Sequence, residues 1–262
     1  MDFITSRDGT AIACRHGGTG APLLLVHGTT GDHSAWRAVL MQLQQRYTVW
    51  TMDRRGRGQS GDAADYALAR ESEDIAAVVN AIGGNVNVLG HSFGGLCALE
   101  AALLTANINK LMLYEPSISL SGSGWSAEFE SRLQVLREKG AWEESLLLFF
   151  RDLLKTPDHE LNALQTGPNW DSRVAAAPTI LRELQSIDRY VFTPQKFHHL
   201  QNSILLMLGG ESHARRYKTA EMLQQCLVNS RIGILPGQQH SAMRTAPDLL
   251  VHTVTAFVDS AP

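Results

Sequence analysis

Pro22-Leu23-Leu24-Leu25-Val26 is apolar without the alternation that a half-exposed strand would show. A run this short and this apolar suits a strand covered on both faces. Five more β-rich runs recur along the chain, at Tyr47 to Met52, Val86 to Leu89, Lys110 to Tyr114, Ile204 to Leu208 and Arg231 to Leu235. Ahead of them, Phe3 to Arg7 and Ala11 to Arg15 flank Asp8-Gly9-Thr10 and predict a hairpin. Helical patterns fill the gaps. Trp36 to Gln45 puts Trp36, Val39, Leu40 and Leu43 on one stripe, and Ser72 to Ile82 does so with Ile75, Val78, Val79 and Ile82. In the second of these, Ser72-Glu73-Asp74 places acids at the positive helix end. Phe93 to Leu104 reads as a buried helix, and a last helix starts near Pro247 with Leu250, Val254, Phe257 and Val258 inward. Strand and helix in alternation predict an α/β fold, a doubly wound and mostly parallel sheet with helices on both faces.

From about Pro116 to Leu200 the rhythm breaks. No parallel strand is legible there, and the stretch is helical and amphipathic (Phe129, Leu133, Leu136, then Leu146 to Leu154). The expected organisation is a core of residues 1–115 and 201–262 with a helical cap over 116–200.

The 262 residues suit one large domain carrying an insertion, and 44% hydrophobic with 19% charged residues is enough to bury a core. A net charge of −3 supplies no basic excess for nucleic acid. Arg54, Arg55 and Arg57 form a local run that reads as a solvated turn. Neither a signal-peptide h-region nor a transmembrane run is seen, so a cytoplasmic protein without membrane contact is expected. Cys14, Cys97 and Cys226 are scattered without ligand spacing and are expected as reduced, buried thiols. His198, His199 and His213 match no tight metal motif.

The chemistry-bearing motif is Gly90-His91-Ser92-Phe93-Gly94, set between an apolar strand and an apolar helix. A serine on so sharp a turn projects its hydroxyl clear of the backbone, and the flanking glycines leave room where a Cβ would clash. The helix N-terminus behind it favours developing negative charge. His27-Gly28-Thr29-Thr30-Gly31 follows another strand, and a glycine loop there aims N–H groups into a cavity. The N–H groups of Thr29 and Phe93 are the candidate oxyanion donors. His240, in a loop after the last strand, is the candidate base.

Together these motifs resemble the α/β-hydrolase superfamily along nearly the whole chain. The matching residues are His27-Gly28, the Ser92 elbow, His240, and Asp53-Arg54-Arg55-Gly56-Arg57-Gly58-Gln59-Ser60, similar to that family's structural D-x-R-G-x-G-x-S loop. The resemblance implies an eight-stranded sheet with an antiparallel second strand and a helical cap. The family's usual acid follows the seventh strand in a G-x-x-D context, and here Leu208-Gly209-Gly210-Glu211-Ser212 puts Ser212 at that place. Two carboxylates are the main alternatives, with a dyad or an acid from the cap as the remaining readings. Glu115, in Leu113-Tyr114-Glu115-Pro116, resembles the relocated acid of some haloalkane dehalogenases and lipases and is the preferred one. Glu211, one place early, is the other.

The expected activity is hydrolysis of an ester-type acyl bond of a small hydrophobic substrate, with Ser92 as nucleophile and no metal or organic cofactor. Trp125, Trp142, Trp170 and Leu146 to Phe150 suggest an apolar cap surface, or else fill the cap's own core. A non-hydrolytic enzyme on the same scaffold (a lyase or cofactor-independent oxygenase) and a small-molecule receptor are the alternatives. Oligomeric state has no signature in the sequence.

Overall fold

The computed structural model describes residues 1–119 and 124–260. Eight strands form one sheet: β1 (Asp2–Thr5), β2 (Ala11–Gly17), β3 (Ala21–Val26), β4 (Tyr47–Met52), β5 (Val86–His91), β6 (Ile108–Tyr114), β7 (Ser203–Gly209) and β8 (Ser230–Leu235). Their spatial order is β1-β2-β4-β3-β5-β6-β7-β8. β2 is antiparallel to both its neighbours and every other pairing is parallel. The β1–β2 turn is closed by the Ser6 N–H on the Thr10 carbonyl at 2.8 Å, and the Asp8 carboxylate accepts the Thr10 N–H at 3.0 Å.

Eleven α-helices are described: α1 (Arg37–Gln44), α2 (Leu68–Ile82), α3 (Phe93–Ala101), α4 (Ala127–Glu138), α5 (Trp142–Leu148), α6 (Asp158–Gln165), α7 (Trp170–Ala176), α8 (Ile180–Arg189), α9 (Ala214–Cys226), α10 (Ala242–Thr245) and α11 (Pro247–Val258). Side chains alternate across each strand, so the unbroken apolar runs feed two cores. Leu24, Val26, Leu111, Leu113, Ile204 and Leu206 pack with α2, α3 and α9. Leu23, Leu25, Met112, Leu205 and Met207 pack with Trp36, Val39, Leu43, Leu250, Val254 and Phe257 on the other face. Each such side chain, once fully buried, contributes about 1.5–3 kcal/mol of transfer free energy. Between β6 and β7 lie α4 to α8, and no strand occurs among the described residues there. Buried side chains of this stretch, among them Phe129, Leu133, Leu146, Trp170 and Ile180, join the first of the two cores. No described helix is long and apolar enough to cross a membrane.

The chain corrects four expectations. The Arg54-Arg55-Arg57 run is no solvated turn, because all three side chains are buried. Arg55 Nε and Nη2 each donate to the Asp74 carboxylate at 2.7 Å, and its Nη1 donates to Asp8 at 2.9 Å. Arg54 and Arg57 share Glu71 and Glu183, whose side chains are also fully buried. Those same pairs explain the second correction. α2 begins at Leu68, so Ser72-Glu73-Asp74 lies within the helix, and Asp74 serves as an arginine partner rather than a dipole partner. Third, α3 ends at Ala101, where Leu103 and Leu104 turn out to solvent. Fourth, Cys14 and Cys97 are buried, but Cys226 is only half-buried at the end of α9. Burial pushes the Cys14 thiol up to about 12, so it stays protonated at neutral pH.

Candidate active site

Ser92 stands between β5 and α3 with φ 55° and ψ −123°, a left-handed conformation that costs a non-glycine residue about 1–3 kcal/mol. Surrounding contacts over-determine it. Its N–H donates to the Tyr114 carbonyl at 2.9 Å, and its carbonyl accepts the N–H groups of Gly95, Ser117 and Leu96 at 2.9, 3.0 and 3.2 Å. Two glycines make the turn geometrically feasible. A Cβ on Gly94 would lie 2.3 Å from the His27 carbonyl oxygen, and one on Gly28 would lie 2.9 Å from the Ser92 Cβ. The His27-Gly28 loop and the serine turn are therefore pressed together.

His27 fixes that loop from below. The Arg54 N–H donates to His27 Nε2 at 3.1 Å, which leaves Nδ1 to donate to the Gly28 carbonyl at 2.9 Å. Burial pushes this imidazole well below its ordinary pKa, with the Arg54 and Arg57 charges adding to the effect, so it stays neutral. Phe93 occupies the first helical position of α3, where its N–H has no carbonyl within the helix to meet. Thr29 borders the same cavities as Ser92. Thr30 beside it is also left-handed, with φ 63°.

Glu115, directly after β6, is 1% exposed and carries a φ of 45°. Its Oε2 accepts from His240 Nδ1 at 2.6 Å, and its Oε1 accepts the Gly209 N–H at 2.9 Å and the Ser212 hydroxyl. Ser212 thus fills the place of the usual acid by tying down the carboxylate that arrives from β6. Glu211 is exposed on the cavity rim, and no hydrogen bond joins its carboxylate to His240 among the described residues. Burial alone would raise the Glu115 pKa. The His240 hydrogen bond and charge, the Arg216 charge and the Ser212 hydroxyl outweigh it and hold the carboxyl at about 2. Arg216 Nε lies 3.7 Å from Glu115 Oε2, and its Nη1 donates to the Glu115 carbonyl at 3.2 Å.

With Nδ1 donating to Glu115, His240 keeps Nε2 as an acceptor. Burial and the Arg216 charge push its pKa below the ordinary value against the opposing pull of Glu115. The His240 loop is held by two residues that are chain neighbours of Ser92 and Glu115. His91 Nε2 donates to the His240 carbonyl at 2.8 Å, and the Tyr114 hydroxyl donates to the Gln239 carbonyl while accepting the Ala242 N–H at 3.1 Å. Ser92 Oγ lies 3.1 Å from Ser117 Oγ, and no hydrogen bond joins Ser92 Oγ to His240 among the described residues. His91, Tyr114, Ser117 and Arg216 escaped the sequence reading. Only His91 and Tyr114 had a signal there, their adjacency to Ser92 and Glu115.

Two cavities meet at Ser92. One of about 710 Å³ runs past His91 and His240, and another of about 500 Å³ runs under Trp125, Leu184 and Ile187. Phe149 and Leu154 border both, while Leu146 is wholly buried in the core. Asp53 lies outside these walls. Its carboxylate accepts from the His33 N–H and Nδ1 at 2.8 and 2.7 Å, and from Arg15 and the Gln59 N–H at 3.0 Å each. His198 and His199 are exposed, and His213 caps α9.

A sheet of this order, offering a strained serine at the head of the helix after a central strand, is the architecture of the α/β hydrolases. The chain belongs to the alpha/beta hydrolase family, whose model matches residues 23–253. It is similar to a putative carbamate hydrolase RutD of Pseudomonas savastanoi pv. phaseolicola, 23% identical over 94% of this chain and 96% of that one. It is 36% identical to an N-formylmaleamate deformylase of Pseudomonas putida over 41% of this chain, a match that spans 42% of the deformylase's length. Among solved structures, an alpha/beta hydrolase from Sphaerobacter thermophilus superposes with a TM-score of 0.85 at 29% identity, covering 98% of this chain and 100% of that one. The esterase RhEst1 from Rhodococcus shares the fold, with a TM-score of 0.76 at 21% identity over 100% of this chain and 99% of its own.

The charges around His240 have a measurable consequence. With His240 as the base, its neutral imidazole is the active form, and kcat/KM is then expected to fall only as pH drops through a His240 pKa below the ordinary 6.5. Removing the neighbouring cation by Arg216→Met is expected to move that acid limb to higher pH. A pH profile of the two proteins checks it, and an unmoved or acid-shifted limb would contradict the assignment.

Proposed function

We propose that the chain hydrolyses an ester-type acyl bond of a small substrate with an apolar group, using Ser92, His240 and Glu115. The observation that carries this reading is the 2.6 Å contact of Glu115 with His240 Nδ1, beside a cavity that also opens on the strained Ser92. In this reading the Ser92 hydroxyl exchanges Ser117 for His240 Nε2 as its partner, a tightening of the kind substrate binding brings about. The Oγ then bonds to the carbonyl carbon while its proton passes to Nε2. Glu115 balances the imidazolium and holds its tautomer. The tetrahedral oxyanion is received by the N–H groups of Phe93 and Thr29. Collapse of that intermediate expels the alcohol, which takes the proton from Nε2. Water, deprotonated in turn by His240, releases the acid and restores Ser92.

Trp125, Leu184 and Ile187 suit an apolar group in the smaller cavity. The same residues would cleave amide or carbamate bonds, the chemistry suggested by the names of the deformylase and carbamate-hydrolase relatives. The test is turnover of a chromogenic ester series from short to medium acyl chains, with amide and carbamate counterparts, alongside fluorophosphonate labelling mapped by peptide mass. Turnover with label on Ser92 is expected. A folded protein that is inert across the series and unlabelled at Ser92 would shift the reading to a non-hydrolytic enzyme or a receptor.

A further inference from the structure

Arg173 is the exception among the arginines that are not exposed. Every other described arginine that is not exposed (Arg15, Arg54, Arg55, Arg57, Arg70, Arg182, Arg216 and Arg244) has a carboxylate within 3.7 Å. Arg173, half-buried on α7 and lining the larger cavity, forms no ion pair among the described residues. Its Nη1 donates to the Thr30 hydroxyl at 3.1 Å, and its guanidinium lies 5.9 Å from the centre of the Phe150 ring. Its Nε is buried without a hydrogen-bond partner. Asp32 acts on the guanidinium through its charge without forming an ion pair, and Glu160 borders the same cavity but is paired elsewhere. Asp32 accepts the Ser34 N–H at 2.8 Å together with that residue's hydroxyl, and Glu160 holds Arg244 at 2.7 Å. Burial and the Arg244 charge pull the guanidinium down to about 10, so it remains a cation at neutral pH.

A partly desolvated cation with no carboxylate bonded to it is costly, and an anion that closes the pair recovers part of that cost. We propose that Arg173 makes the larger cavity a carboxylate subsite, so that the substrates are acyl compounds bearing a carboxylate near the scissile carbonyl: half-esters or half-amides of short dicarboxylic acids. This inference rests on the acyl-hydrolase reading of Ser92. One guanidinium beside one ring matches the single charge and planar fork of a carboxylate. The Arg173 contact falls on Thr30, the residue after the proposed oxyanion donor Thr29. Thr29 and Thr30 are adjacent in the chain, so a short spacer of a few carbons between the two carbonyl carbons is part of the proposal. The apolar leaving group then takes the smaller cavity under Trp125 and Leu184.

The test compares 4-nitrophenyl hemiglutarate with 4-nitrophenyl pentanoate, which match in acyl length and differ in the terminal charge. Wild type is expected to favour the half-ester in kcat/KM. Arg173→Gln is expected to lower the ratio of half-ester to neutral-ester kcat/KM at least about 30-fold, mainly through the half-ester KM. Arg173→Lys, which keeps the charge without the fork, is expected to fall between them and replaces the glutamine variant should that fail to fold. No preference in wild type, or an equal loss on both esters in the variants, overturns the proposal. A second readout does not depend on turnover, namely calorimetric binding of glutaramate to the wild-type and Arg173-substituted proteins. If no ester is cleaved and Ser92 stays unlabelled, the hydrolase reading fails, yet Arg173-dependent glutaramate binding still supports the subsite. Absence of that binding rejects the subsite too.

Discussion

Replacing Glu115 by glutamine is expected to lower kcat by about three to four orders of magnitude, while Glu211→Gln is expected to leave it within about threefold. The difference follows from what each carboxylate touches. Glu115 accepts the Nδ1 proton of His240 at 2.6 Å from a site that is 1% exposed, and three further donors (the Gly209 N–H, the Ser212 hydroxyl and, more distantly, Arg216) hold it ionised. A glutamine there presents either a neutral oxygen or an NH₂ group to the ring. The first removes the negative charge that balances the imidazolium, and the second favours the tautomer with its proton on Nε2, where the serine proton must arrive. Glu211 faces solvent on the cavity rim, so its charge is screened and its loss orphans nothing. Rates for both variants, with matched thermal unfolding to show that each is folded, decide the matter. A large loss confined to Glu211→Gln would move the acid to the end of β7.

The extent to which residues were legible follows the range of the forces involved. The strands could be read because a parallel strand buried on both faces must be apolar at nearly every position, a local property of Leu23–Val26 or Ile204–Leu208. The Ser92 turn could be read because its demand for glycine at position 94, though imposed by the distant His27 carbonyl, is written within two residues of the serine. The choice between Glu115 and Glu211 was not local. Both sit at strand ends facing one crevice, and what separates them is the direction in which β6 and β7 release the chain. The φ of 45° at Glu115 and the Ser212 hydroxyl together fix that direction, and no spacing rule encodes either. Arg173 was silent for the same reason. Its distinguishing property is the lack of an ion pair among the described residues, which becomes visible only when the acids around it are placed.

The arginine run after β4 shows the largest gap between pattern and structure. Three cations within four residues look solvated, because their partners lie far along the chain, at Asp8, Glu71, Asp74 and Glu183. Glu183 matters most, since it sits on α8, in the helical stretch between β6 and β7, and reaches Arg54 and Arg57 of the core. Thr179, at the start of the same helix, accepts from Arg57 Nη2 at 2.7 Å. The cluster of two arginines and two glutamates is neutral as a whole, and all four side chains are fully buried. Glu183→Ala would leave two guanidinium groups sharing Glu71 alone, whose closest oxygen is 3.5 Å from Arg54 and 3.7 Å from Arg57. Breaking a buried pair in this way costs about 3–5 kcal/mol, which for a chain of this size lowers Tm by on the order of 10 °C. Glu138→Ala, an exposed position on α4, is the control and is expected to change stability by less than about 0.5 kcal/mol. Calorimetric melting of the two variants measures the difference, and hydrogen exchange locates it. Faster exchange concentrated in α4 to α8 would mean that the charge cluster fastens this stretch over the Ser92 cavities. A Glu183→Ala protein that melts with the control would mean instead that the apolar contacts of Leu146, Ile180 and Leu184 hold the stretch without it.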